Sequence, residues 1–487
     1  MRIPFVGPTY QGRSLNIDAS RCVNFFLEVT PDDEKTPLSL IGTPGTTLFA
    51  TIPQGPIRGA HTFNGLIYFV AGLGLYSISS GGTQSSLLGT LTTLSGRVSM
   101  ADNGLAPTGG NQLMIADGST SAYIFNVNSS VFTTLGSGTW TAGVVAPQTV
   151  TYIGGNFIVT GSSSSFQVSA LYDGTTWSGL DVAAKSINSD LLLAAFNNAG
   201  LLWLFGSDST EVWQQTTGHP PFAFVTGSAF DYGLAARFSI AKGAGTMFWL
   251  ANIINNGKGE LLGAVMGSGF GAQVISTPAI NWQWSQYSTV SDAWGYCFTM
   301  EGHLFYVLTF PTANATWVYD FTTQMWFEWS TYVSAPYAIG RHYGNAYASL
   351  NGKHYIGDYQ NGNIYQLSST IYQDNGNPIV SMRTSQHTFD KNELNNTIVN
   401  RIQIDAETGV GDNTTLSPQA SLAWSLDGGH TYSNDYQGAL GPLGQYKTRL
   451  LWRRLGIARD RLWRLTCSDP VKKVFMNAYV NGAIGSS

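Results

Sequence analysis

One short pattern recurs through most of the chain: two apolar runs joined by a turn rich in Gly, Asn, Asp or Ser. It reads GLIYFVAGLGLYSI at 65–78, NQLMIADGSTSAYIFNV at 111–127 and LLWLFGSDSTEVWQ at 201–214, with a longer copy at 152–177. Further copies span 248–265, 302–329 and 353–367. Alternating or short apolar runs interrupted at this interval are the signature of sequential strands, and helical periodicity is nearly absent. A lone two-stranded unit is marginal in water, so repeats of this kind must stack on one another to make a core. Copies spaced by about 40 to 50 residues match the period of propeller blades. About seven units predict an all-β chain built on a six- or seven-bladed β-propeller.

Composition supports many short strands and tight turns. The chain has 487 residues, with 56 glycines and 13% aromatics. Only 11% of residues are charged, against about 25% in average soluble proteins. A skin so poor in charge is expected where other subunits cover it, because charge is depleted at interface cores. It also suits a monomer with a polar, uncharged surface. The net charge of −5 implies no global attraction for nucleic acid or membrane. Three distant cysteines, Cys22, Cys297 and Cys467, make no disulfide framework and suit a reducing compartment. No signal peptide or transmembrane segment is readable, so no membrane insertion is expected.

The texture changes near residue 381. TIVNRIQIDAE alternates Ile398, Ile402 and Ile404 against Arg401, Gln403 and Asp405. The sequence predicts three parts: an extended segment over 1–45, a propeller over 46–380, and an antiparallel sandwich or barrel over 381–487 on which the first segment docks. Within the last part, SLDGGHTY at 425–432 resembles the Asp-box hairpin of sialidases and other propeller proteins. Its chemistry is that of a turn. Asp427 can accept from backbone amides ahead of it, while Gly428 and Gly429 can take positive φ.

The one concentration of charge lies at 447–473, where nine Lys and Arg stand against two acids. Lys447, Arg449 and Arg453 are expected on one face opposite Leu450 and Trp452. Arg454 falls in the same run. Arg459 and Arg461 are expected to share a face with Trp463, opposed by Arg464. Such a row can track a phosphate backbone without reading bases, or it can pair with a neighbouring subunit. A solvated strand face is the plain alternative.

Constellations for catalysis do not form. The histidines at 61, 219, 303, 342, 354, 387 and 430 show no HxH or HExxH spacing, no CxxC is present, and no metal or cofactor is expected. GSGFG at 267–271 joins strands and opens no helix, so it lacks a phosphate cradle. No GxSxG elbow appears. Arg58, Arg237 and Arg341 lie in propeller units, where convergence would supply the arginine triad of a sialidase. Paired carboxylates of a glycosidase would come together only in the fold. A carbohydrate-binding or carbohydrate-active propeller of a virion tail is therefore carried as the alternative function.

The longer strings resemble one family. LLWLFGSDSTEVWQQTTGHPPFAFVTGSAFDYGLAARFSIAKGAGTMFWLA, VISTPAI at 274–280, VNFFLE at 23–28, residues 43–78 and DGTTWSGLD at 173–181 are similar to the packaged-DNA stabilisation proteins of short-tailed phages. RIQIDAETG and the stretch from LAWSLDGGHTY to TCSDPVK resemble that family's terminal module. The resemblance implies a structural tail hub, or nozzle, without catalytic residues. It implies a closed homo-oligomeric ring, a hexamer, below the portal and its head-to-tail adaptor. It further implies contact with packaged double-stranded DNA, anchorage of tail fibre, spike or needle proteins, and assembly into the virion tail in the host cytoplasm.

Overall fold

A computed structural model describes residues 2–30, 37–105, 109–254, 260–333, 338–390, 395–411 and 414–485. Four-stranded antiparallel sheets span 57–90, 99–135, 149–184, 192–224 and 241–274. A sixth set, 294–329, opens a larger sheet, and a seventh joins 344–368 to the N-terminal strand Gly45–Thr51. These are the blades of a seven-bladed propeller, and each recurrent sequence unit supplies the middle strands of one blade. Middle strands are apolar on both sides because each blade is covered on both faces by its neighbours. Leu66–Ala71, Gln112–Ala116 and His303–Phe310 are buried almost throughout.

The core is accordingly divided into wedges. Phe63, Tyr68 and Leu75 of the first blade pack against Leu113, Tyr123 and Phe125 of the second. Comparable clusters fill every wedge around the ring. Between the fifth and sixth blades a helix, Pro278–Ser285, drives Trp284 against Phe310, Trp317 and Trp326 at ring separations of 5.4, 6.1 and 5.4 Å. Trp317 and Trp326 thus fill a wedge. This eight-residue helix is the single α-helix among the described residues, in keeping with the near absence of helical periodicity in the sequence. Its signal was Thr277 followed by Pro278: the threonine caps the Ile280 amide, and proline suits the first turn.

The C-terminal module is a β-sandwich. One sheet runs Phe25–Val29, Leu38–Gly42, Val474–Ile484, Thr397–Ala406 and Leu450–Arg453. The other runs Ala19–Val23, Ser381–Thr384, Asp460–Cys467, Gln419–Ser425 and Tyr436–Ala439. Ile402, Ile404, Leu450 and Trp452 from the first meet Leu422, Trp463 and Leu465 from the second. The second sheet is continuous with the sixth blade, because Ala19–Val23 pairs both with Met325–Trp329 and with Ser381–Thr384. The three cysteines are unbridged.

Two interactions lock the N-terminal segment in place. Glu28 Oε2 and Asp320 Oδ2 sit 2.9 and 2.7 Å from the two ring nitrogens of His303, tying strand Phe25–Val29 to the sixth blade. The Asp320 hydrogen bond, opposed by burial and helped by Glu28, raises the His303 pKa from 6.5 to about 9. Closure of the ring at Gly45 leaves no room for a side chain, since an added Cβ would lie 2.4 Å from the Ile371 carbonyl oxygen.

Both locks can be tested by substitution. A group whose folded pKa is raised contributes stability fully below its unfolded value, and loses it as pH rises through the folded one. The His303 clamp is therefore complete below about pH 6.5 and released through about pH 9. Amide exchange over 25–29 should speed up between pH 7 and 10, with a loss of about 1.5–3 kcal/mol, the scale of hydrogen bonds to charged groups. His303→Gln should flatten that dependence. Gly45→Ala should cost about 1–3 kcal/mol through overpacking, read as a lower urea midpoint at constant slope.

A candidate polyanion or subunit interface

The basic run divides by strand register. Leu450 and Trp452 enter the sandwich core while Arg453 is exposed, as alternation requires. Arg453 lies directly opposite Arg401 on the neighbouring strand. Like charges facing each other across a ladder are destabilising. Arg454 takes a positive φ of 62°, and its amide donates to the Asn400 carbonyl, which lets Leu455 re-enter the core. Arg449, Arg459 and Lys447 are also exposed, the last in the turn before the strand. Arg401, Lys447, Arg449, Arg453, Arg454 and Arg459 form no ion pair among the described residues. Arg401 was missed as a member of this face. Its sequence signal was alternation with Ile402, but only register shows that it meets Arg453.

The expected pairing of Arg459 with Arg461 on one face is corrected. Arg459 precedes strand Asp460–Cys467 and is exposed, whereas Arg461 is 2% exposed because Thr388–Phe389 pairs over it. Arg461 lies 5.0 Å from the Trp463 ring, and its three guanidinium nitrogens find no hydrogen-bond partner. Burial lowers its pKa to about 10. Arg464 is half-buried, 3.9 Å over the Tyr432 ring. Neither belongs to the open face.

SLDGGHTY is a hairpin corner of the sandwich, outside the propeller. Asp427 accepts from the Thr431 amide at 2.9 Å and its hydroxyl at 2.6 Å, and Ser425 Oγ donates to it at 2.7 Å. Those bonds hold its carboxyl below the usual range, the Thr431 hydroxyl most of all. Gly428 and Gly429 adopt φ of 73° and 98°. All the acceptor capacity of Asp427 is spent on the turn, which leaves it no catalytic posture.

Arg58, Arg237 and Arg341 do not converge. Arg58 is 1% exposed and donates to the carbonyls of Gly72, Thr93, Ser95 and Gly96. Arg341 stacks 3.4 Å over Tyr359, and Arg237 bonds the Leu193 carbonyl and Gln148. Among the described residues no three His, Cys, Asp or Glu side chains gather as a metal site needs. No described helix is long and apolar enough to cross a membrane.

Comparison with known proteins finds no match among curated relatives. Solved propellers show a weak likeness. The WD40 β-propeller domain of Doa1 is 12% identical over 67% of this chain and 97% of its own, with a TM-score of 0.41. The N-terminal domain of Nup159 is 11% identical over 72% and 99%, at 0.40. At that level neither bears on function. Two family descriptions match in chain order: "Bacteriophage P22 Gp10, beta-propeller" over residues 1–372 and "Bacteriophage P22 Gp10, beta-sandwich" over 384–483. Their order and near-complete coverage agree with the propeller and sandwich seen here, and the chain belongs to this bacteriophage P22 Gp10 family of structural proteins.

Proposed function

We propose that the chain is the subunit of a closed ring, a hexamer, in the virion tail. The ring extends the DNA exit channel below the portal and adaptor, helps retain packaged DNA, and anchors fibres, spikes or a needle. The observation that carries this reading is the unpaired arginine face. In a chain with so few charges, Arg401 and Arg453 are held opposite each other with no ion pair to an acid among the described residues. The exposed pair Arg401 and Arg453, with the exposed Lys447, Arg449, Arg454 and Arg459 of the same module, suits a polyanion tracked through its phosphates. Contact in this reading is with the backbone, because exposed guanidinium groups suit phosphates and carry no base-reading pattern. The low overall charge suits burial of the remaining surface between subunits.

The chain acts in this reading without catalysis. The sialidase alternative has lost its arginine triad, and the Asp-box hairpin lies outside the propeller.

Two measurements test the proposal. Native mass should show about six chains, alone or on an adaptor ring, because homomeric rings are the usual closed form of heterologous contacts. A monomer that releases sugar from a sialoside or surface polysaccharide would overturn it. Replacing Arg401, Arg449, Arg453 and Arg459 together by Gln should leave rings intact and make filled particles leak. The salt dependence of ring binding to duplex DNA should fall by roughly 0.9 in log–log slope for each phosphate no longer neutralised. Loss of rings would instead assign the arginines to a subunit interface. Rings that hold DNA as well as the parent would remove both roles.

A further inference from the structure

The seven innermost strands surround a cavity of about 220 Å³ on the propeller axis. Its volume is below the roughly 300–1,000 Å³ of pockets that take drug-sized ligands. Arg97 and Arg237 stand in its wall, and no Asp or Glu lines it. Arg97 is held against the ring of Trp294 at 4.1 Å, with Nη1 and Nη2 donating to the side-chain and backbone oxygens of Asn345 at 3.2 and 2.6 Å. Arg237 donates from Nε to the Leu193 carbonyl and from Nη1 to Gln148 Oε1, both at 2.8 Å, which leaves Nη2 unused.

Two further donors in this wall have no acceptor. Trp294 and Tyr296 are 2% and 6% exposed, and the Trp294 Nε1 and Tyr296 hydroxyl are buried without a hydrogen-bond partner. Both side chains pack into the core behind the wall, and these two atoms have almost no accessible surface, so they do not reach into the cavity. Burial lowers the pKa of Arg97 to about 9, helped by the nearby charge of Arg341, and lowers that of Arg237. Neither arginine has a carboxylate near enough to oppose that shift. The cavity therefore offers the two guanidinium charges of Arg97 and Arg237, with no acid in its lining.

We propose that the propeller axis is a binding site for one small oxyanion, a phosphate or carboxylate, held by Arg97 and Arg237. A guanidinium fork suits both groups. Asn345, Leu193 and Gln148 orient the two forks, so the site is preorganised before the ligand arrives. The site is separate from the arginine face of the sandwich and does not depend on its role.

Calorimetry and thermal melting of the full-length chain test this, with sodium phosphate and succinate as probes and sodium chloride at matched ionic strength as control. Saturable one-to-one binding of either probe with a raised Tm is expected. Phosphate alone would assign a phosphate ligand, and succinate alone a carboxylate. Arg237→Gln and Arg97→Gln should each weaken binding roughly ten- to a hundredfold, the value of a charged hydrogen bond. Arg237→Lys should fall between parent and Arg237→Gln. The proposal is overturned if the folded parent binds neither probe at millimolar concentration, or if chloride gives the same Tm rise. It is equally overturned if a folded Arg97→Gln or Arg237→Gln chain binds as tightly as the parent. Where neither variant folds, the parent's response to the probes against chloride decides.

Discussion

Everything in this fold hangs on how its first 51 residues pair. Gly45–Thr51 lies antiparallel to Asn363–Ser368 as the outer strand of the seventh blade, so the two ends of the propeller meet by hydrogen bonds. Upstream, Ala19–Val23 stitches the sixth blade to the sandwich, and Phe25–Val29 with Leu38–Gly42 extends the sandwich's other sheet. The seam is reinforced by Arg21, whose Nε meets Glu328 Oε1 at 3.0 Å. Arg383, 1% exposed, donates to the carbonyls of Phe5, Pro8 and Arg21. Without this segment, the seventh blade would lose its fourth strand and the sandwich three of its own: Ala19–Val23, Phe25–Val29 and Leu38–Gly42. The outer strand Gly45–Thr51 covers the edge of Asn363–Ser368, which would otherwise stand unpaired.

The wedges explain why closure matters energetically. Each cluster draws side chains from one blade and from the next, as Ile57 and Phe69 meet Ala348 and Tyr355 across the closing seam. Packing is almost entirely between neighbours, so the propeller behaves as a stack bent into a circle. Opening it anywhere exposes two apolar faces at once. The sandwich shares a single core with the sixth and seventh blades, so the two modules bury surface together.

The parts legible in sequence were those with local causes. Middle strands were visible because burial on both faces makes them continuously apolar. Outer strands such as Gly89–Thr90 are too short to register, and Gly271–Val274 is exposed in part. The hairpin at Asp427 was visible because its side chain bonds within four residues. The seven units were therefore readable while the closing strand was not: its partner lies more than 300 residues away and leaves no local trace. The arginine face was half readable. The basic run announced it, but Arg401 joined and Arg461 left through pairings with distant strands.

Arginines in this chain sort by what their guanidinium groups touch. Arg58 and Arg383 are buried and bonded mainly to backbone carbonyls, so they act as bolts for loops and for the N-terminal peptide. Arg21 pairs with Glu328 and Arg464 covers Tyr432, which makes both parts of the seams they cross. Each of these has its charge or its donors answered inside the chain. Among the described residues Arg401, Arg449, Arg453, Arg454 and Arg459 form no ion pair, and no acid lines the axial cavity beside Arg97 and Arg237. Partial neutralisation by solvent is enough for an exposed guanidinium, but it does not explain like charges placed face to face, nor donors buried without acceptors. On the two readings proposed above, an arginine unanswered among the described residues is one that meets an anion outside the chain.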